Sequence, residues 1–324
     1  MMMTGYRLLR TATASLLAAS VLLGGRQPTR AADSPPTAQL GIELPTIGII
    51  FREFHNRWRV SFERYFSSQV MKDIRDNLHA SYVRTGWIPD WIAREQRRHH
   101  AWRNEDEAMR SICGSGLHAM IIVPREGEDA AGTQHLLENV RFFFARYTRR
   151  EPGCIAWAEI GNETDLPVNG YRDVRSYAAY YARVAPIVGS FGVRVITSGA
   201  SGEDRPWTAT LAAFLAGLPS PPPVAGFGFH PYGVLVSEMG AAVMAMRTAA
   251  ATGSGSLPLV YVTEIGQKSP DALYRTLLGL SRATPAITIY EYRAQPGEDP
   301  RFALKENPQL YAAAQNAWTA AFSH

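Results

Sequence analysis

Short apolar runs alternate along the chain with longer segments that carry a helical pattern of apolar positions. The runs are rich in β-branched and aromatic residues, and most are continuous instead of alternating, which is typical of parallel strands buried on both faces. Each run, together with the segment after it, spans roughly 30 to 40 residues, the length of one βα unit. The predicted strands begin near eight positions: Ile47, Ser81, His118, Ile155, Val193, Ala225, Leu259 and Ala286.

The segments between the runs have apolar residues at three- and four-residue spacing, as an amphipathic helix requires. The spacing is clearest at residues 136–147, where leucine, valine, phenylalanine and tyrosine form one face. About eight such units predict a single (β/α)8 TIM barrel, with the helices outside a closed parallel sheet. An open dinucleotide-binding sheet is disfavoured, because no Gly-x-Gly-x-x-Gly motif follows the first predicted strand. Further helices are predicted at Tyr177–Ile187, Trp207–Leu218, Ser237–Ala251, Asp271–Arg282 and Pro308–Phe322.

The N-terminus has the pattern of a secretory signal sequence. Arg7 and Arg10 precede an apolar run at residues 11–25, and small residues follow at Ala31 and Ala32. The run is shorter than an ordinary membrane span of about 20 residues. We therefore expect export to a bacterial periplasm or medium and no membrane span in the mature protein, with an uncleaved anchor as the alternative. The expected divisions are a signal sequence at 1–31, a tether rich in Pro, Ala and Ser at 32–46, and the barrel at 47–324.

Composition and charge narrow the function classes further. The 324 residues are 46% hydrophobic and 19% charged, a balance that argues against wholesale disorder. The net charge is +4 and the pI is near 9.1, but the arginines are spread along the chain. Because no compact basic run with interleaved aromatic residues is present, we expect no nucleic-acid partner. The expected partner is a carbohydrate substrate, and the expected oligomeric state is a monomer.

Acidic residues stand where two of the predicted strands end. In a (β/α)8 barrel the catalytic groups lie at these strand ends, so Glu163 and Glu264 should both point into the barrel mouth. Retaining glycosidases need two carboxyl groups about 5 Å apart, one protonated and one ionised. Partial burial and a neighbouring negative charge would raise the pKa of one of them. Further strand-end acids are Glu53 and Glu291, of which Glu291 is the next candidate, and Glu159 is an inner acid that could pair with an arginine.

Short motifs around these glutamates resemble a known group of enzymes. Asn162-Glu163 on the fourth strand, Thr263-Glu264 on the seventh and His230-Pro231-Tyr232 on the sixth resemble clan A of the glycoside hydrolases. The stretch 157–163 and the ending 290–292 look most like bacterial members of families 39 and 5. The resemblance covers most of the chain from Ile47 onwards, and it is strongest at the fourth, sixth, seventh and eighth strands.

The resemblance implies a retaining mechanism without a metal or another cofactor. Glu163 would protonate the leaving oxygen and then activate water, and Glu264 would attack the anomeric carbon. Arg84 would lie near Glu264 and favour its ionised form, although it could instead pair with a structural acid. The other implied roles are a contact of Asn162 with the sugar 2-hydroxyl, a hydrogen bond from Tyr232 to Glu264, and a place for His230 in the sugar subsite.

Aromatic residues near the strand ends are candidates for stacking on sugar rings. Many clan members have a tryptophan at the end of the eighth strand, where this chain has Tyr290 or Tyr292. Trp87, Trp91 and Trp207 lie in predicted βα loops. Each of these tryptophans could either contact a sugar or pack within its loop, and the sequence leaves both roles open.

Two alternatives use the same barrel. A transglycosylase would pass through the same glycosyl-enzyme and differ only in the acceptor, and a carbohydrate-binding barrel would keep the cleft without turnover. An esterase is disfavoured, because no Gly-x-Ser-x-Gly motif follows a predicted strand. The adjacent His99 and His100 lack a Cys or Asp partner at metal-site spacing, so we expect no metal site there.

The chain has only two cysteines, Cys113 and Cys154. Both fall just before predicted neighbouring strands, on the face of the barrel opposite the catalytic mouth. An exported protein meets an oxidising compartment, where a close pair forms a disulfide. Two buried free thiols are the alternative.

Overall fold

A parallel β-sheet runs through the centre of the fold. The computed structural model describes residues 38–47, 58–87, 102–127, 132–169, 171, 173–252, 257–295 and 297–322. The strands pair in the order β5-β4-β3-β2-β1-β9-β8-β7-β6, and every pair is parallel. They are β1 Gln39–Glu43, β2 Tyr82–Gly86, β3 His118–Val123, β4 Ile155–Ile160, β5 Arg194–Thr197, β6 Ala200–Ser201, β7 Phe227–His230, β8 Val260–Ile265 and β9 Ala286–Ile289.

The sheet closes where β5 and β6 meet β7. These two short strands are separated only by Ser198 and Gly199, and β6 pairs with β7. Ile196 of β5 forms a parallel bridge with Gly226, directly before β7. Because β5 also pairs with β4, the strands form a ring, and the predicted (β/α)8 barrel is confirmed. The sixth, seventh and eighth predicted strands are β7, β8 and β9.

The helices lie between the strands and bury one face each. The apolar positions predicted at 136–147 are the buried face of α4, and the later predicted helices agree with the structure to within a few residues. A π-helical turn, Asp73–Asn77, continues α2. The helices are α1 Trp58–Tyr65, α2 Ser68–Lys72, α3 Arg103–Gly114, α4 Thr133–Arg150, α5 Val174–Gly189, α6 Arg205–Ala216, α7 Met239–Ala249, α8 Pro270–Leu280 and α9 Pro308–Phe322.

The first strand lies earlier than predicted. β1 spans Gln39–Glu43, inside the segment 32–46 that was expected to be a tether, so the prediction that the barrel starts at residue 47 was wrong. The strand is short and has a glycine at its centre, because a Cβ on Gly41 would lie 2.2 Å from the Tyr82 ring. It therefore lacks the continuous apolar run of the other strands. The predicted strand end at 51–55, with Glu53, and the predicted signal sequence lie outside the described residues.

Side chains inside the barrel form two layers. Residues two apart on a strand point to the same side, so Tyr82 and Arg84 of β2 both point inwards. Near the start of the strands the interior is apolar, and further along it is polar, with Arg84, Glu159 and Thr263 fully buried. The apolar layer consists of Tyr82, Met120, Trp157, Ile196, Tyr261 and Ala286. The apolar layer fills the end of the barrel where the strands begin, and the polar layer faces the mouth, where the strands end.

Cys113 and Cys154 are joined by a disulfide, the pairing predicted from the sequence, with Cα atoms 5.6 Å apart. The bond connects the end of α3 to the residue before β4, on the face opposite the mouth. Residues Pro35–His324 form one compact unit. Within the described part of the chain, no helix is both long and apolar enough to cross a bilayer.

Candidate active site

The guanidinium of Arg84 lies at the centre of the polar layer. Arg84 is the third residue of β2 and is fully buried. Its Nη1 donates to Glu43 at 2.6 Å and to Glu264 at 2.9 Å. Its Nε donates to Glu159 at 2.7 Å, and its Nη2 donates to Asn162 at 2.5 Å. One buried cation therefore holds residues from β1, β4 and β8 in a fixed arrangement through charge-assisted hydrogen bonds.

Glu159 is the inner acid of the barrel. It is fully buried, and besides the bond from Arg84 it accepts hydrogen bonds from the Gly199 amide at 2.8 Å and the Thr263 hydroxyl at 3.0 Å. Burial opposes ionisation, but the charge of Arg84 and the contact with His230 lower the pKa of Glu159 to about 2. Glu159 is thus ionised at neutral pH and pairs with an arginine, as its position in the sequence suggests.

His230, the last residue of β7, lies between the two candidate catalytic glutamates. Its Nδ1 is 3.2 Å from Glu163 and 3.9 Å from Glu264, and its Nε2 is 3.0 Å from the Thr263 hydroxyl. Burial disfavours the charged ring, but the charge of Glu264 and the hydrogen bonds to Glu159 and Glu163 raise the pKa of His230 to about 10. The ring is therefore an imidazolium at neutral pH, and both of its nitrogens donate.

The pKa of Glu163 is lowered, chiefly by the hydrogen bond from His230, which outweighs partial burial. The sequence predicted a raised pKa for one of the two carboxyl groups, the one that acts as acid, because burial and neighbouring negative charge were considered without a histidine cation between the two carboxylates. That expectation was wrong in direction. The proton shared by His230 and Glu163 therefore rests on the histidine.

The backbone after β4 turns so that Glu163 faces the mouth. Glu163 has φ 44°, in the left-handed region that non-glycine residues rarely adopt. Its carbonyl accepts hydrogen bonds from the Leu166 amide at 3.0 Å and from the Asn169 side chain at 2.8 Å. The next amide, that of Thr164, donates to the Ser198 hydroxyl at 3.1 Å. Such over-determined, strained backbone is concentrated at functional sites.

Glu264, the fifth residue of β8, faces Glu163 across the mouth. Arg84 donates to its Oε2, and the Tyr232 hydroxyl donates to its Oε1 at 2.9 Å. The side chains of Glu163 and Glu264 are 21% and 12% exposed, so both remain accessible from the mouth. One oxygen of each carboxylate lies within 4.8 Å of the other. This distance agrees with the spacing of about 5 Å expected from the sequence.

Glu43 is a third carboxyl group in the mouth, and sequence reasoning missed it. This omission follows from the misplaced first strand, since a strand predicted at Gln39–Glu43 would have marked Glu43 as a strand-end acid. Its register partner on β2 is Arg84. Burial, with a further contribution from the charge of Glu264, raises the pKa of Glu43 well above its usual range despite the ion pair with Arg84.

The predicted aromatic contacts divide between the mouth and the core. Tyr290 is half-buried after β9 with its ring 6.1 Å from that of Phe302. Tyr292 is buried and donates to Asp73, so it is not the residue at the mouth. Trp87, for which the sequence leaves a sugar contact and loop packing both open, is 2% exposed and stacks on Phe143 at 4.7 Å between ring centres.

Among the described residues, the candidates Trp207 and Glu291 make no hydrogen bond with Arg84. Trp207 packs against the core with its ring stacked on Tyr177, and Trp91 lies outside the described residues. Glu291 is buried. Burial and the charge of Glu298 raise the pKa of Glu291 to about 8, so this side chain is largely neutral at neutral pH.

Glu163, His230 and Glu264 come close enough together to hold a cation, with one ligand atom of each within 4.8 Å of the others. Two contacts oppose a metal ion at this place. His230 is already protonated and donates to Glu163, and the Arg84 cation lies 2.9 Å from Glu264. A metal would have to displace the proton and approach the guanidinium charge. The arrangement fits proton transfer and nucleophilic attack better than metal binding.

Comparison with solved structures finds the same barrel in glycoside hydrolases. The chain is similar to a family 39 glycoside hydrolase from the gut symbiont Bacteroides cellulosilyticus WH2, with a TM-score of 0.59 and 15% identity over 88% of this chain and 64% of that one. It is similar to a GH5_18 protein from Streptomyces cattleya in complex with GlcNAc, with a TM-score of 0.62 and 12% identity over 88% and 80%. It is also similar to an endo-1,4-β-mannanase from Rhizomucor miehei, with a TM-score of 0.58 and 13% identity over 91% and 97%.

Comparison of the sequence with protein-family models and with curated proteins gives no match. The chain spans about two thirds of the length of the family 39 protein, namely 64%. At 12% to 15% identity, the likeness to these structures is one of fold. The chain has the (β/α)8 barrel fold of the glycoside hydrolases of families 39 and 5, as the motifs at its strand ends predict.

Proposed function

We propose that this protein is a retaining O-glycoside hydrolase that cleaves an oligo- or polysaccharide with Glu163 as acid/base and Glu264 as nucleophile. The observation that carries the proposal is the approach of the two carboxylates to within 4.8 Å across the mouth. Retaining glycosidases have carboxyl groups about 5 to 5.5 Å apart, whereas inverting enzymes leave about 6.5 to 9.5 Å for a water molecule. The fold shared with glycoside hydrolases of two families supports the same reaction class.

The surroundings of Glu264 suit a nucleophile. Arg84 and Tyr232 each donate to one of its oxygens, which fixes the orientation of the carboxylate. An oxygen of Glu264 attacks the anomeric carbon, the bond from that carbon to the leaving oxygen breaks, and a glycosyl ester forms. Attack by water on the same carbon then breaks the ester and returns the carboxylate.

Glu163 moves the protons of both steps. It protonates the leaving oxygen in the first step, and in the second it takes a proton from the attacking water. Because its pKa is lowered, Glu163 is ionised, which is the form that accepts a proton in the second step. The first role needs the protonated form, which arises when the shared proton passes from Nδ1 of His230 to the Glu163 oxygen, 3.2 Å away. His230 thus acts as the local proton donor to the acid.

The other contacts position the sugar. Because Arg84 donates to Oδ1 of Asn162, the amide nitrogen of Asn162 is the group that can donate to the 2-hydroxyl. Tyr290 borders the sugar in place of the tryptophan of other clan members. The proposal includes export, which the Cys113–Cys154 disulfide supports, since disulfides persist in oxidising compartments. The mechanism needs no metal or other cofactor.

The test is a screen of the purified protein on β-mannan, xylan, β-1,3-glucan and their p-nitrophenyl glycosides. We expect Glu264→Gln to lower kcat by at least about 10³-fold. Glu163→Gln should lower kcat strongly on the polysaccharide but less on the nitrophenyl glycoside, whose leaving group needs little protonation. Azide, a nucleophile that needs no base, should restore part of the turnover of Glu163→Ala.

The matched control is Glu126→Gln, since Glu126 also follows a strand but pairs with Arg183 and Thr133 outside the network. It should leave kcat nearly unchanged. NMR of the first product anomer should show retained configuration, and product sizes distinguish hydrolysis from transfer to a second sugar. Near-normal rates in both Glu163→Gln and Glu264→Gln, or an inverted first product, would contradict the proposal.

A further inference from the structure

Glu43 takes part in the Arg84 network through one of its two carboxyl oxygens. Its Oε2 accepts from Nη1 of Arg84 at 2.6 Å. Among the described residues no partner is found for its Oε1, and the side chain is 13% exposed. The mechanism proposed above uses Glu163, Glu264 and His230, and it gives Glu43 no task.

The position of Glu43 relative to Glu264 is fixed by their shared donor. Both carboxylates accept from Nη1 of Arg84, at 2.6 Å and 2.9 Å. Tyr232 donates to the other oxygen of Glu264. Glu43 therefore lies on the Oε2 side of the nucleophile, the side on which Nη2 of the same guanidinium holds Asn162.

In the complex that the proposed function requires, Glu43 would lie beside the sugar and beyond its 2-hydroxyl. If C1 lies at Glu264 and the 2-hydroxyl at Asn162, the next ring positions on that side are C3 and C4. Tyr232 and Tyr290 have pKa values raised mainly by burial, and the charge of Glu43 adds to both shifts. Glu43 thus lies near the aromatic residues that border the same space.

We propose that Glu43 is a specificity-determining residue whose Oε1 binds a ring hydroxyl, at C3 or C4, of the sugar held between Glu163 and Glu264. The inference rests on the proposed function and extends it to the choice of sugar. A carboxyl oxygen held rigidly by Arg84 discriminates strongly, because a sugar without the matching hydroxyl leaves that oxygen desolvated and unpaired. A sugar with the hydroxyl in the other configuration is rejected for the same reason.

The test compares hydroxyl deletion in the substrate with side-chain deletion in the protein. The probes are p-nitrophenyl β-glucoside, β-mannoside and β-xyloside with their disaccharide counterparts, and the 3-deoxy and 4-deoxy forms of whichever is cleaved best. For the wild type, one of the deoxy forms should lower kcat/KM by about 10- to 100-fold. Glu43→Ala should cause a similar loss on the intact substrate but less than about 3-fold on that deoxy form. Glu43→Gln keeps an acceptor oxygen and should lie between the two.

If Glu43 only holds Arg84 in place and does not contact the sugar, the pattern is different. Glu43→Ala would then lower the rates on intact and deoxy substrates by the same factor. That result would overturn the inference. The matched control is Asp106→Asn, which removes a carboxylate paired with Arg146 and Arg150 on the outer helices. It should lower the melting temperature without altering the ratio between intact and deoxy substrates.

Binding separates this inference from the proposed function. Calorimetry of the intact and deoxy glycosides is run on Glu264→Gln with and without Glu43→Ala, so no turnover is required. If the wild type cleaves none of the probes but Glu43→Ala removes the hydroxyl-dependent part of the affinity, the proposed function fails and the inference stands. If the affinities for intact and deoxy glycosides are equal in Glu264→Gln, or if none of them binds, the inference is wrong.

Discussion

At the scale of single residues, the mouth holds more carboxylates than its cations can neutralise. The single guanidinium of Arg84 forms ion pairs with Glu43, Glu159 and Glu264. Three carboxylates, one of them buried and two mostly buried, on one guanidinium leave an excess of negative charge, which is costly in a medium of low dielectric constant. Bound protons reduce this excess. One rests on His230, and the raised pKa of Glu43 favours a second.

The proton on His230 makes the stability of the fold depend on pH. An unfolded histidine releases its proton near pH 6.5, whereas folded His230 keeps it to about pH 10. Between these values the folded state binds more protons than the unfolded state, so this contribution falls as the pH rises. Below pH 6.5 it is fully present.

We therefore expect the difference in free energy of unfolding between wild type and His230→Gln to shrink from pH 6 to pH 9. The slope for one group is at most about 1.4 kcal/mol per pH unit. Urea unfolding at four pH values measures it. Thr276→Val, a change of a buried residue that does not titrate, should give a difference that is constant with pH. A constant difference for His230→Gln as well would show that His230 is neutral in the folded protein.

At the scale of secondary-structure elements, the break between β5 and β6 makes room for the histidine. Gly199 stands in this break, and its amide donates to Glu159. A Cβ at this position would lie 2.2 Å from Nε2 of His230 and 2.8 Å from the Thr263 hydroxyl. Only glycine permits this approach, so the interruption of the strand is a requirement of the site.

Gly199→Ala should accordingly displace His230 and impair activity. We expect a fall in kcat/KM of about 10²-fold, the usual effect of a shift of about 1 Å in a catalytic group, with a loss of stability of about 1 to 3 kcal/mol from overpacking. Kinetics at saturating and low substrate, with circular dichroism to verify folding, measure both effects. Gly114→Ala at the end of α3, where nothing lies within 4 Å of an added Cβ, should change neither. Normal kinetics in Gly199→Ala would contradict the tight placement of His230.

The disulfide joins two elements that are distant in sequence. Cys113 and Cys154 are 41 residues apart, and closing a loop of this length contributes about 3 to 4 kcal/mol by the loop-entropy estimate. We expect the Cys113→Ser, Cys154→Ser double variant to lose about this amount in urea unfolding. Denatured, unreduced wild type should show no free thiol and the reduced protein two. Two free thiols before reduction would mean that the bond does not form.

At the scale of the whole molecule, the repeat of apolar runs was enough to predict the barrel, because each strand with its helix has a length and pattern of its own. The paired glutamates were predictable from their places at strand ends. The packing of Trp87 could not be predicted in this way, because its stacking on Phe143 depends on how α4 packs against the sheet. The direction of the Glu163 pKa shift was not predictable either, since it depends on a proton on His230 that only the assembled network explains.

The start of the barrel is where the sequence-based prediction differs most from the structure, because β1 lies before residue 47. β1 pairs with both β2 and β9 and carries Glu43. A chain that begins at residue 35 retains this strand, whereas one that begins at residue 47 leaves two neighbouring strands with unpaired edges. Unpaired edges expose backbone donors and acceptors and promote aggregation.

We expect the chain 35–324 to be monomeric by size-exclusion chromatography and to melt cooperatively near the temperature of the full chain. The chain 47–324 should be aggregated or show no cooperative transition, because loss of β1 opens the barrel and leaves Arg84 with one partner fewer. Thermal melting by circular dichroism with light scattering measures both. The shorter chain also provides the decisive comparison: if 47–324 folds cooperatively and retains activity, β1 is dispensable and the assignment of Glu43 to the mouth is wrong.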